Sequence, residues 1–307
     1  MPYIPIVTNV IGIGNLAVDI FFFFSGLCLS LSARYHHYAE NGWREYLIRR
    51  FDRVLIPYLI IGIPYQIWNT VFDSYGSLIR RIAVFCGNIS SATFWLKGTQ
   101  TTWYLFAIVF FYLLFPMLYC YLKKSSLIIR ASLIVGLIAM AIAFSYLPVI
   151  KFSIDAWARL PIFTIGILYG IEEKERNITG ISVFASVLTI CILGGITSAS
   201  ELLPDFPLPH VYRLLLYIPM TLAVCTLSSR REIRSTLLEW IGGLSLEIYL
   251  VHMTILHPIE YYGLREALGY WLYLVLPIIS IGISWIVSQL EMHVLKQLRQ
   301  HRSISIK

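Results

Sequence analysis

Residues 103–122 read WYLFAIVFFYLLFPMLYCYL, and Lys123 and Lys124 follow at once. No Asp, Glu, Lys, Arg or His interrupts the stretch. At about 1.5 Å of rise per residue, a helix of that length crosses the roughly 30 Å hydrocarbon core of a bilayer. The side chains are apolar on every side, so the segment has no face to turn toward water. A barrel strand would alternate apolar and polar residues over about ten positions. Lipid cannot satisfy a bare backbone, which leaves the α-helix as the structure this stretch can adopt.

The same pattern recurs along the chain. Spans are expected over 9–32, 54–72, 127–149, 157–171, 178–198, 211–228, 238–257 and 270–290, and 103–122 completes the set. The predicted fold class is all-α: a polytopic integral-membrane helix bundle of about nine transmembrane helices, forming one membrane-embedded domain over 1–307. Composition agrees. Hydrophobic residues make up 58% of the 307 and charged residues only 13%, against about 25% charged in soluble chains. Mean hydropathy is +0.72. So few charges cannot coat a soluble surface. Aromatics reach 15%, as suits rings that belt membrane interfaces. Residues 73–102 break the pattern. Ile82 to Trp95 is apolar but interrupted by Gly87, Asn88, Ser90, Ser91 and Thr93, so a re-entrant or surface-lying segment is expected there.

The net charge of +7 is distributed unevenly. One set of connections and the tail holds Arg34, Arg44, Arg49, Arg50, Arg53, Lys123, Lys124, Arg130, Lys174, Arg176, Arg230, Arg231, Arg234, Lys296, Arg299, Arg302 and Lys307. The other connections hold Arg80, Arg81, Lys97, Lys151 and Arg265, with Arg159 and Arg213 at span edges. Positive charge accumulates on the cytoplasmic side, so the C-terminus is expected inside and, with nine spans, the N-terminus outside. Topology accounts for the basic balance, and no nucleic-acid partner is expected. Cys28, Cys86, Cys120, Cys191 and Cys225 match no metal or redox spacing. No GxGxxG, P-loop, HExxH or GxSxG occurs.

Four stretches carry candidate chemistry. In Val18–Tyr35, Asp19 lies about midway along a span, where an ionisable group costs several kcal/mol unless paired. It is either functional or a structural carboxylate bonded to a neighbouring helix. Ser25 and Gly26 permit close helix approach, and packing alone can explain them. In Trp43–Leu59, Arg49, Arg50 and Arg53 cluster on neighbouring turns. Arginine forks onto phosphate bidentately, while anchoring by the positive-inside rule and contact with anionic lipid remain the plainer reading. Trp103 and Tyr104 open a span where amphipathic rings also serve as interface anchors. In Ile241–Pro258, Ser245, Tyr249 and His252 follow at i, i+4 and i+7 and share a helical face. Glu247 lies about 140° round from His252. His252 can act as a general base near neutral pH or be satisfied by hydrogen bonds between helices. His257 sits at the outer end as an interfacial residue.

These stretches carry four patterns in a fixed order: V-D-x-F-F-x-x-S-G at Val18–Gly26, R-R-x-x-R-x-x-x-P-Y at Arg49–Tyr58, a W-Y-L…Y-L-L-F-P run at Trp103–Pro116, and L-S…I-Y-L-x-H at Leu244–His252. Together they resemble the integral-membrane acyltransferase-3 family, of the polysaccharide O-acetyltransferase type. The resemblance implies a bundle of about ten helices in a bacterial inner membrane. It implies an acyltransferase that moves an acyl group, commonly acetyl, from cytoplasmic acyl-CoA (acetyl-CoA) to a hydroxyl of a cell-surface glycan or lipid-linked sugar, without a metal. It also implies that Arg49, Arg50 and Arg53 hold the CoA phosphates and that His252 is a pocket residue. His252 is then the candidate for the catalytic work, with Asp19, Ser25, Trp103, Tyr104, Ser245 and Tyr249 as candidate substrate-pocket residues.

One departure stands out. Family members carry a first helix with an Arg about ten residues before a His, the expected catalytic base. Residues 1–17 contain no Arg, Lys or His, and no such pair occurs in the first spans. The expectation is a chain lacking its first helix, N-terminally truncated or else without the base. A preceding helix would also repair the weakly specified outward start. Two other classes stay open: a glycan or lipid transporter with Asp19, Glu247 and His252 along its path, and a non-catalytic membrane subunit.

Overall fold

The computed structural model describes residues 14–72, 76–98, 103–148, 150–172, 183–202, 209–229, 235–269 and 271–304. The expected span starts at 9, 178 and 270 lie outside these residues, as do Lys174, Arg176, Arg230, Arg231, Arg234 and Lys307. The regular structure among the described residues is helical throughout. The principal helices are α1 Gly14–Tyr35, α2 Arg44–Phe72, α3 Leu78–Ile89, α4 Trp103–Lys124, α5 Leu127–Ser145, α6 Leu160–Glu172, α7 Val183–Leu202, α8 His210–Ser229, α9 Thr236–Gly243, α10 Ser245–Tyr261 and α11 Trp271–Ile304.

Seven helical stretches among the described residues are long and apolar enough to cross a membrane: Leu16–Tyr35, Arg44–Phe72, Trp103–Lys124, Leu127–Ser145, Ile154–Glu172, His210–Leu227 and Leu274–Gln297. The protein is therefore an all-α polytopic membrane bundle. Two expected spans differ from this set. The one over 178–198 corresponds to α7, whose described apolar run is Ala185–Ile196. The one over 238–257 is broken into α9 and α10 at Leu244, which leaves the helical region at φ −97°, ψ 6°. Gly242 and Gly243 end α9, and glycine is the weakest helix former after proline. The stretch 44–53, read from sequence as part of a cytoplasmic loop, forms the first turns of α2. Residues 73–102 contain the 12-residue α3 and a six-residue helix, Ala92–Lys97, both too short to cross.

The contacts group Met1–Tyr46 with Phe110–Ile233, and Leu47–Val109 with Arg234–Lys307. In the first unit α1 packs closely on α6. The run Gly166-Ile-Leu-Tyr-Gly170 is a small-xxx-small stripe, the device by which membrane helices bring backbones together. A Cβ on Gly166 would strike the carbonyl oxygen of Phe23, and one on Gly26 would strike that of Phe163. Ser30 Oγ donates to the Ile167 carbonyl at 3.1 Å across the same seam. The rings of Phe22, Phe111 and Phe163 follow one another at 5.0 Å spacings. Leu16, Ala141, Ile154, Ala158, Val211, Leu214, Tyr217 and Met220 form a second buried cluster.

In the second unit α2 changes pitch once. Tyr58–Gly62 is a π-helical turn directly after Pro57. The Ile63 N–H bonds the Tyr58 carbonyl five residues back, and Pro64, which follows, has no N–H to continue the ladder. Gly62 leaves room for the Tyr58 ring, which a Cβ there would strike. Further along, Asn88 Nδ2 of α3 donates to Gln66 Oε1 of α2 at 3.0 Å, both side chains buried.

The close α1–α6 seam predicts opposite outcomes for two glycines. Gly166→Ala forces backbones apart and is expected to cost about 1–3 kcal/mol, seen as a lower melting temperature of the detergent-solubilised protein. Gly136→Ala on α5, with nothing within 4 Å of the new methyl, is expected to leave that temperature unchanged or slightly raised.

Candidate functional site

The first unit buries a chain of charge. Asp19 on α1 is fully buried, and burying a carboxylate there requires an opposite charge. Arg159, also fully buried, supplies it: its Nε lies 3.7 Å from Asp19 Oδ2. Arg159 Nη1 donates to Asp155, to the carbonyl at 2.8 Å and to Oδ1 at 3.1 Å. The same Oδ1 lies 3.2 Å from Nε2 of His210, an exposed residue at the start of α8. Neither Asp19 oxygen accepts a hydrogen bond from the described residues, and Arg159 Nε donates none. Asp19 is thus held by charge rather than by hydrogen bonds. Ser25 is half-buried six residues further along α1, beside the Gly26 contact with α6.

The second unit holds the remaining sequence candidates. Tyr104 stands in the first turn of α4, where backbone N–H groups have no partner within the helix. Its N–H is 3.4 Å from the Tyr249 hydroxyl on α10, which accepts the bond. The two rings are 5.0 Å apart, and the Tyr249 ring stands edge-on to that of His252 at 5.7 Å. Trp103 touches Tyr104 edge-on at 6.3 Å and lies 6.4 Å from Phe94. Ser245 is the half-buried first residue of α10. His252 Nδ1 lies 3.0 Å from the Ile248 carbonyl. A carbonyl only accepts, so Nδ1 carries the hydrogen, and the neutral ring keeps its lone pair on Nε2. A half-buried histidine fixed in that tautomer is equipped to take a proton.

The three arginines of α2 fare differently. Arg49 is exposed and Arg50 half-buried. Arg53 reaches α10 and α11: it bonds both carboxylate oxygens of Glu247, Oε2 of Glu291 at 3.2 Å, and the Gly243 carbonyl at 2.6 Å. Glu247 has no exposed surface in its side chain and Glu291 only 4%. The positions of α10 therefore split by face, Glu247 toward Arg53 and Tyr249 toward Tyr104, with His252 beside Tyr249. His257, read as interfacial, is half-buried beside the rings of Tyr65 and Trp68, 5.8 and 6.3 Å away.

Sequence reasoning missed Arg159 and Glu291. The signal was present for Arg159, since a cation inside the expected span 157–171 needs a counter-charge as much as Asp19 does; Glu291 falls one residue past the expected end of 270–290, whereas the apolar helix runs on to Gln297. Among the described residues no group of three or more His, Cys, Asp or Glu gathers as a metal would require. The model of a family described as "Acyltransferase domain", acyltransferase-3, matches residues 2–289. Searches of curated proteins and of solved structures return no match.

The Asp19–Arg159 pair predicts that loss of one partner is worse than loss of both charges. Arg159→Met leaves Asp19 unpaired and is expected to cost about 3–5 kcal/mol, read as the fraction of folded protein surviving heating in size-exclusion chromatography. The Asp19→Asn, Arg159→Met double variant is expected to recover part of that loss. Equal instability of the two variants would mean that the pair does not carry the charge balance.

Proposed function

Because the chain belongs to the acyltransferase-3 family, matched over residues 2–289, we propose that it is a membrane O-acyltransferase that moves an acyl group, acetyl foremost, from acyl-CoA to a hydroxyl of a cell-surface glycan or lipid-linked sugar. The observation that carries the reading is the Tyr104–Tyr249–His252 row, in which a histidine with its Nδ1–H tied to a carbonyl stands edge-on to Tyr249, whose ring in turn meets that of Tyr104. In the reaction the acceptor oxygen attacks the thioester carbonyl, a C–O bond forms and the C–S bond breaks. His252 Nε2 takes the hydroxyl proton and returns it to the leaving sulfur. Transfer from a thioester is facile once the hydroxyl is positioned and its proton removed.

Trp103, Tyr104, Ser245 and Tyr249 hold the acceptor. Their rings offer flat faces to the C–H side of a sugar, and their hydroxyls and N–H groups meet its hydroxyls. Arg49, Arg50 and Arg53 take the phosphates of CoA at the start of α2, on the side where the basic residues of the chain concentrate. That side is the cytoplasm of a bacterial inner membrane, which also receives the C-terminus. Asp19 is occupied by Arg159, and its part is to hold α1 in register.

The test is transfer of labelled acetyl from acetyl-CoA to glycolipid in membranes of cells expressing the protein, the ester being released by mild alkali. His252→Gln is expected to lower the transfer rate by about 10²-fold or more, with KM for acetyl-CoA within about twofold of wild type. Arg50→Ala is expected to raise that KM about tenfold. Full transfer by His252→Gln places the base elsewhere. Absence of transfer by the wild type overturns the reading.

A further inference from the structure

Arg53, the third of the three basic residues at the start of α2, is engaged through both terminal nitrogens. Nη1 donates to Glu247 Oε1 and to Glu291 Oε2, and Nη2 to Glu247 Oε2 and the Gly243 carbonyl. A guanidinium has five N–H groups, and the four on its terminal nitrogens are all accounted for in this set. The Arg53 side chain is nevertheless 40% exposed, while its two acids are buried. A ligand from solvent thus meets the guanidinium before it meets either carboxylate.

The two acids are not equal. Glu247 lies in the first turn of α10 and grips both terminal nitrogens in a fork, the strongest geometry for this pair. Glu291, on α11, meets the guanidinium once, at 3.2 Å, and otherwise contacts the Glu247 carboxyl. Of the two, Glu291 is the partner that an incoming oxygen displaces more easily.

We propose that Glu247 and Glu291 are positioning residues for the donor, acting through Arg53: Glu247 holds the guanidinium in place, and Glu291 occupies the N–H that a phosphate oxygen of the donor takes over. This rests on the reading that the arginines of α2 bind the phosphates of acyl-CoA. Donor binding then carries the cost of leaving a buried carboxyl oxygen without its guanidinium partner. It is also felt by α10, because the same guanidinium ties down the Gly243 carbonyl and Glu247, two residues before Tyr249. The positioning pair thereby sets donor affinity below what three free arginines would give and links the donor end of α2 to the helix that carries His252.

The experiment is calorimetric titration of purified protein in nanodiscs with CoA itself. Glu291→Gln keeps the size of the side chain and replaces the carboxyl by an amide, a weaker acceptor for the guanidinium, and is expected to lower Kd for CoA by about fivefold or more. In an Arg53→Ala background the same substitution is expected to change nothing, because the effect passes through Arg53. Glu291→Asp withdraws the carboxylate by one methylene and is expected to move Kd in the same direction by a smaller factor. It stands in should the Gln variant not fold. A residue that merely stabilises the bundle would leave Kd unchanged or raise it, and either result in folded variants overturns the proposal. Wild-type protein that binds no CoA overturns the donor reading instead, so the two failures are distinguishable.

Discussion

A charge inside hydrocarbon has to be met by another charge, and this constraint fixes more of the protein than any apolar contact does. Lipid chains solvate leucine as well as a neighbouring helix would, so apolar burial discriminates little between one helix arrangement and another. Ionic pairs discriminate strongly. Asp19 on α1 is tied to Arg159 just before α6, and Arg159 in turn to Asp155 and through it to His210 of α8. Arg53 of α2 is tied to Glu247 of α10 and Glu291 of α11. Each network joins three segments far apart in sequence, one in each unit. Close packing at Gly26, Gly166 and Gly170 then completes what the charges align.

Helix α10 shows how one element serves both packing and chemistry. The break at Leu244 sets the first residue of α10, and so the angular position of everything after it. Glu247 turns one way and is spent on Arg53. Tyr249 turns another and meets Tyr104, with His252 edge-on to Tyr249. A continuous helix through 238–257 would lack the open Gly243 carbonyl that Arg53 now caps at 2.6 Å. The interruption is therefore part of how the histidine face is aimed, since the cap and the Glu247 fork fix the first turn from two sides.

What the sequence made legible follows from the range of each signal. Apolar blocks of span length are local, and five of the expected spans, those beginning at 54, 103, 127, 157 and 211, coincide with long apolar helices within a few residues, apart from the earlier start of α2. The face shared by Ser245, Tyr249 and His252 is also local and survives as part of α10. The break at Leu244 was hidden because hydropathy averages over a window, and two glycines beside a leucine do not lower it. The basic segment 44–53 was read as loop because its charge resembles a connection, whereas an amphipathic extension lets α2 run on beyond the bilayer core. The partners of Asp19 and Arg53 lay 140 or more residues away, and nothing in a single sequence says which acid meets which arginine.

The π-helical turn of α2 gains its meaning from these partners. Arg53 meets Glu247 near the start of α10, and Tyr65 and Trp68 meet His257 and Tyr261 near its end. The two helices therefore run in the same sense side by side, as the distribution of basic residues requires of two segments that both leave the basic side. In an unbroken α-helix Tyr65, twelve residues after Arg53, would lie about 120° round from it and turn away from α10. The π turn at Tyr58–Gly62 inserts one residue without advancing the spiral. The offset then falls to about 20°, and both ends of α2 face the same neighbour. Gly62 supplies the space for the Tyr58 ring. The π-helical turn of α2 is what lets its basic end and its aromatic end act on one partner.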